Sequence, residues 1–76
     1  MSVYKEIGET IVNYRREKGC TQEWLALECD ISVSYLRQIE HGKANPTIAE
    51  LLIIVSVLGL GFRNPLFIPE AMEAAK

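Results

Sequence analysis

Histidine and cysteine are scarce in this 76-residue chain: His41 stands alone, and Cys20 and Cys29 are its two thiols. Neither cysteine belongs to a C-x-x-C pair, so a zinc site would lack ligands and no metal is expected. Two such thiols fit reduced, buried residues of a cytoplasmic protein. With one histidine, no Ser-His-Asp order and no glycine-rich phosphate loop, there is no catalytic constellation, so neither an enzyme nor a cofactor is expected. Long apolar runs are missing too. The longest, Leu51 to Val55, falls far short of the ~20 residues that span a bilayer, and no signal peptide is visible. The expectation is a cytoplasmic chain with no membrane contact. Positive charge is not in excess either. Eight basic residues face ten acidic ones, giving a net charge of -2 and a pI of about 5.3. That excludes a strongly electropositive protein. It leaves room for a modest basic patch, because six of the eight basic residues (Lys5, Arg15, Arg16, Lys18, Arg37, Lys43) lie within the first 43 positions. Many acids of that stretch, Glu6, Glu9, Glu23, Glu28 and Asp30 among them, are expected on other faces.

What the chain does have is helical periodicity and helix punctuation. Nearly half of its residues are apolar, which suits a single small core over residues 1–76. The pattern predicts an all-α fold of four to five helices. Helix one is expected from about Ser2 to Lys18, with Val3, Ile7, Ile11 and Tyr14 as its buried stripe and Gly19 ending it. Thr21 caps helix two, from about Gln22 to Cys29. Asp30 and Ile31 make a turn, Ser32 caps helix three from Val33 to about His41, and Gly42 ends it. Asn45-Pro46 forces an extended turn. Thr47 to Glu50 reads T-x-x-E, a capping box that opens helix four, which runs to Gly59 or Gly61. Pro69 suits the first turn of a short final helix.

Residues 21–42 carry the most information. Leu25, Cys29, Ile31, Leu36 and Ile39 are spaced to hold two short helices at a steep angle, with the small Ala26 at their crossing, as in a helix-turn-helix. The second helix then shows Ser32, Val33, Ser34, Arg37, Gln38 and His41 outward. Such a face can lie in a DNA major groove: Gln bonds adenine bidentately, Arg bonds guanine, and Val packs on a thymine methyl. Base contact is therefore expected from Val33, Ser34, Arg37 and Gln38. Trp24 is expected to pack against helix one or four.

These residues resemble the XRE family of Cro- and CI-repressor-like regulators. The resemblance rests on the helix-turn-helix, Arg15 upstream, Thr21-Gln22 at the start of helix two, and Ile39-Glu40-x-Gly42-Lys43-x-x-Pro46, and it covers about residues 5 to 60. It implies a domain that binds operator DNA, commonly as a dimer. It implies a phosphate contact for Gln22, which also braces the recognition helix, and for Lys43 with the amides near Asn45. It also implies a structural salt bridge between Arg15 and Glu40. Ser32 and the Tyr35 hydroxyl join the expected phosphate contacts; partial burial of Tyr35 by packing is the equal alternative. The family usually has Gly where Asp30 stands, and Asp tolerates the left-handed conformation well enough to keep the turn.

Helix four is apolar nearly all round, with Leu52, Ile53 and Val57 outside the stripe of Leu51, Ile54, Val55 and Leu58. These residues, together with Phe62, Leu66 and Phe67 of the tail 60–76, are expected either to form a homodimer interface or to pack within the chain. The expected function is a sequence-specific, double-stranded-DNA-binding transcriptional regulator. The alternatives are an antitoxin-type protein with a protein partner, or a protein-binding module that kept only the fold.

Overall fold

The computed structural model describes residues 2–59. Four helices follow one another: α1 (Val3–Lys18), α2 (Gln22–Cys29), α3 (Val33–Glu40) and α4 (Ile48–Leu58). There is no strand among the described residues. The expected final helix, and Phe62, Leu66 and Phe67 with it, lie outside the described residues.

Each helix starts where a hydroxyl can satisfy an amide that the helix itself leaves without a partner. The Ser2, Thr21, Ser32 and Thr47 oxygens accept from the backbone amides of Lys5, Trp24, Tyr35 and Glu50. At α4 the Glu50 carboxylate returns the bond to the Thr47 amide, completing the capping box. Three helices end alike. The amides of Cys20, Ile31 and Lys43 donate back to the carbonyls of Arg15, Ala26 and Gln38, while those of Gly19, Asp30 and Gly42 donate to Arg16, Leu27 and Ile39. This is the Schellman arrangement, which needs a left-handed residue just beyond the helix. Asp30 supplies it between α2 and α3 (φ 60°). Helix α3 ends at Glu40, one residue before the expected His41, which takes the capping position instead.

The core is a cluster of Ile11, Leu25, Ala26, Cys29, Leu36, Ile39, Ile54 and Leu58, with Ile7, Ile31, Val33, Tyr35, Leu51 and Val57 packed around it. Helix α1 lies on α3 and α4, and α2 lies on α3 and α4. Gly8 sets the depth of the α1–α3 contact. A β-carbon there would stand 2.5 Å from the Ile39 carbonyl oxygen and closer still to that of Glu40, so only glycine lets the two backbones meet.

Several expected packing positions lie elsewhere. Val3 is 65 % exposed and Tyr14 40 %, so the buried stripe of α1 reduces to Ile7, Gly8 and Ile11. Neither Val3 nor Tyr14 belongs to the core cluster of the described residues or to the apolar residues packed around it. Trp24, expected to pack, is 42 % exposed. On α4, Leu52 and Ile53 are exposed as the excess of apolar positions implies, but Val57 turns toward the core. Of the thiols, Cys29 is buried and Cys20 half-buried.

Candidate nucleic-acid interface

Helix α3 is held from behind by a set of polar side chains at the junction of α1, α2 and α3. The Arg15 guanidinium donates from Nε to Glu40 Oε2 (2.7 Å) and from Nη2 to Glu40 Oε1 (3.2 Å). Its Nη1 donates to the Cys20 carbonyl (3.0 Å), tying the α1–α2 turn to the end of α3. Glu40 is almost fully covered, its side chain 3 % exposed. A buried carboxylate survives such desolvation only with several donors, and Gln22 supplies the third, Nε2 to Oε1 at 2.8 Å. No buried side-chain nitrogen or oxygen among the described residues lacks a partner.

The outward face of α3 differs in kind. Ser34, Arg37 and Gln38 are exposed. The side chains of Ser34 and Gln38 hold no hydrogen bond or ion pair among the described residues, and the same is true of the side chains of Lys43 and Asn45 in the loop that follows. Their side-chain donors and acceptors are therefore open to a ligand. Spacings of three and four residues put Ser34, Arg37 and Gln38 on one strip of the helix. Val33 is half-buried against the core. Ser32 caps α3, its oxygen accepting from the Tyr35 amide (3.0 Å). The hydroxyl proton stays available to an outside acceptor.

Tyr35 is occupied. Its hydroxyl donates to Glu50 Oε1 (2.8 Å), the same oxygen that accepts from the Thr47 amide (2.8 Å). The hydrogen bond to Glu50, with burial and the Glu50 charge behind it, raises the Tyr35 pKa. The Thr47 amide, with the Tyr35 hydroxyl second, lowers that of Glu50. In this arrangement the phenol joins α3 to the start of α4, and its proton is not free for a phosphate. The sequence announces Glu50 as a capping-box residue but says nothing of this second bond, which only the approach of α3 to α4 creates.

Arg37 is placed by neighbours that the sequence does not announce. Its Nε donates to Gln22 Oε1 (3.2 Å), and its Nη2 lies 3.8 Å from Glu23 Oε2. Glu23 was expected to face away from this surface, but the packing of α2 on α3 brings the first turn of α2 beside Arg37. His41 Nδ1 lies 2.8 Å from the Arg37 carbonyl oxygen, and since a carbonyl only accepts, Nδ1 carries the proton. No group of His, Cys, Asp and Glu among the described residues can hold a metal ion, and no described helix is long and apolar enough to cross a membrane.

Comparison with known proteins agrees with this geometry. The helix-turn-helix family model HTH_3 matches residues 11–63. An uncharacterized HTH-type transcriptional regulator, y4dJ of Sinorhizobium fredii, is 37 % identical over 60 residues, covering 79 % of this chain and 78 % of that protein. The immunity repressor protein of Bacillus phage phi105 is 35 % identical over 54 residues, 71 % of this chain and 38 % of the repressor. The HTH-type transcriptional regulator RamB of Mycobacterium tuberculosis is 43 % identical over a stretch that is 11 % of its length. Among solved structures, the restriction-modification controller protein C.AhdI from Aeromonas hydrophila superposes with a TM-score of 0.73 at 26 % identity, over 76 % of this chain and 88 % of that one. A mutant of the controller protein C.Esp1396I superposes with a TM-score of 0.74, also at 26 % identity, over 99 % of this chain and 95 % of that one. The helix pair with its left-handed Asp30 turn, the polar face left open on α3, and these matches together assign the chain to the XRE-type helix-turn-helix family of DNA-binding transcriptional regulators.

Proposed function

We propose that α3 reads base edges in the major groove of double-stranded DNA and that the chain regulates transcription in the cytoplasm as a homodimer. The carrying observation is the contrast across α3. The Glu40 carboxylate at its back is fully bonded, while the side chains of Ser34 and Gln38 at its front hold no bond among the described residues. A helix braced in this way presents its open side chains at a fixed angle, as base readout requires. Gln22, Ser32, Lys43 and Asn45 flank that strip and take phosphates. Tyr35 acts by joining α3 to α4, and Val33 adds a partial apolar contact. Repressor and controller relatives favour a regulator that works by occupying its site. The homodimer draws support from Leu52 and Ile53, exposed on α4, and would place two recognition helices about 34 Å apart on a palindromic site.

Selection of bound sites from a random duplex library, followed by affinity measurement, tests the reading. Gln38→Ala should cost about 1–3 kcal/mol on the selected site and relax selectivity at one or two positions. Lys43→Ala should weaken binding to all sequences and reduce the salt slope by about one unit. Equal losses for Gln38→Ala on selected and random DNA would remove it from base contact. The net charge of -2 favours one other reading, a module that binds protein through the same fold. A gel shift with random duplex at low salt separates the two, because a DNA reader shows non-specific affinity and a protein-binding module shows none.

A further inference from the structure

We infer that Gln22 is a positioning residue for base selectivity: it relays the buried Glu40 carboxylate to Arg37 and presets which edge of the Arg37 guanidinium faces the DNA. The inference rests on the reading of α3 as the base-contacting helix. The four side chains form one continuous chain. Arg15 holds both oxygens of Glu40, Glu40 Oε1 accepts Gln22 Nε2 at 2.8 Å, and Gln22 Oε1 accepts Arg37 Nε at 3.2 Å. The direction of the amide is not arbitrary. A carboxylate only accepts, so Gln22 must turn its NH₂ inward to Glu40, and its carbonyl oxygen is then forced outward toward Arg37.

Arg37 is otherwise an exposed side chain, its surface 53 % open, with many rotamers to choose from. With Nε on Gln22 and Nη2 drawn toward Glu23 Oε2, one flank of its guanidinium is engaged within the protein. The terminal Nη1/Nη2 edge is left to project, and such an edge can donate twice to O6 and N7 of guanine. An arginine held this way gives up less freedom on binding than a loose one, and it discriminates by geometry as well as by charge. A Gln22 that only anchored a phosphate would add affinity without selectivity, because phosphates carry no sequence information. That difference is measurable.

The test uses the full chain and duplexes carrying the library-selected site, together with the same site substituted singly at each base pair. Arg37→Ala identifies the base pair that Arg37 reads, by loss of at least about fivefold discrimination there. Gln22→Met keeps the helix propensity and the bulk but removes both amide groups. It should lose at least about threefold of the discrimination at that same base pair, and the double variant should discriminate no worse than Arg37→Ala alone, as coupled residues do. If Gln22→Met weakens binding to every duplex equally and leaves that discrimination intact, Gln22 is a phosphate anchor and the relay is overturned, while base reading by Arg37 stands. If Arg37→Ala changes discrimination at no base pair, the base-reading role of Arg37 itself falls. A second measurement needs no variant. In the wild-type protein, water exchange of the Arg37 Nε–H by NMR should be several-fold slower than that of Arg16, an exposed arginine of α1. Equal exchange rates would overturn the relay on their own.

Discussion

Asp30 shows how much one backbone position decides. The Schellman end of α2 requires a left-handed residue between the two helices of the helix-turn-helix, and Asp30 adopts φ 60° there, alone among the non-glycine residues described. An aspartate in this place carries a steric cost that glycine lacks, and its negative charge sits at a helix C-terminus, where the dipole disfavours it. Asp30→Gly should therefore raise stability by about 0.5–1 kcal/mol, the steric and dipole gains exceeding the extra chain entropy of glycine. Chemical denaturation checks this, and an unchanged midpoint would mean that the turn stores no strain. The thiols differ for a comparable local reason. Burial, with the charge of Glu28 second, pushes the Cys29 pKa up to about 11, so it is a thiol at neutral pH with its sulfur covered. Cys20 is half-buried. Iodoacetamide followed by mass spectrometry at pH 8 should label Cys20 at least about tenfold faster than Cys29, since the thiolate is the reacting species.

At the scale of helices, the connections between elements carry more than their intrinsic propensities. Two of the helices have only eight residues, too short to persist in isolation, so their angle depends on what ties them. Arg15 and Glu40 tie α1 to α3 with side-chain exposures of 11 % and 3 % and with every other donor to the pair in place. Buried in this way, the pair should give a double-mutant coupling above the ~0.2–1 kcal/mol of exposed pairs. A coupling within that range would make the contact incidental. Glu50 ties α3 to α4. The Thr47 amide and the Tyr35 hydroxyl hold its pKa below the ordinary carboxylate value of 4.5. A carboxyl group whose folded pKa is lowered contributes stability that is present above its unfolded pKa and lost as pH falls through the folded one. Thermal melts should therefore show a loss below pH 4.5 that Glu50→Gln largely removes. An identical pH profile in the variant would show that neither bond matters to the fold.

For the molecule as a whole, the open question is what meets α4. Leu52 and Ile53 are exposed at 43 % and 41 %, and Ile48 at 72 %, on a helix with no charged residue other than Glu50. A second copy is the proposed partner, with the tail residues Phe62, Leu66 and Phe67 taking part. Sedimentation at micromolar concentration should show a dimer. Phe67→Glu should dissociate it while leaving the four described helices folded, and half-site binding should lose cooperativity. Unfolding of the domain by Phe67→Glu would instead place the tail in the core of the single chain. A strict monomer that occupies one half-site without cooperativity would rule the dimer out.

The sequence by itself determined the helices and their limits, because capping is local. A hydroxyl at Ser2, Thr21, Ser32 or Thr47 reaches an amide only three residues away, and Gly19, Asp30 and Gly42 stop helices through their own backbone angles. The family resemblance was legible for the same reason, since its motif is mostly this punctuation together with the apolar spacing of α2 and α3. What only the tertiary structure decided is how side chains from different helices share partners. Periodicity placed Val3 and Tyr14 on the buried stripe of α1, but both are exposed and lie outside the core cluster of the described residues. In the sequence, Arg15 and Glu40 read as a pair, Gln22 as a phosphate contact and brace, and Arg37 as a base contact. Their joining into one relay, with Glu23 beside it and Tyr35 turned to Glu50, depends on the angle at which three short helices cross. Gly8, with no β-carbon to hold α1 off the Ile39 and Glu40 carbonyls, and the buried Ala26 take part in this packing, through contacts between residues far apart in the chain.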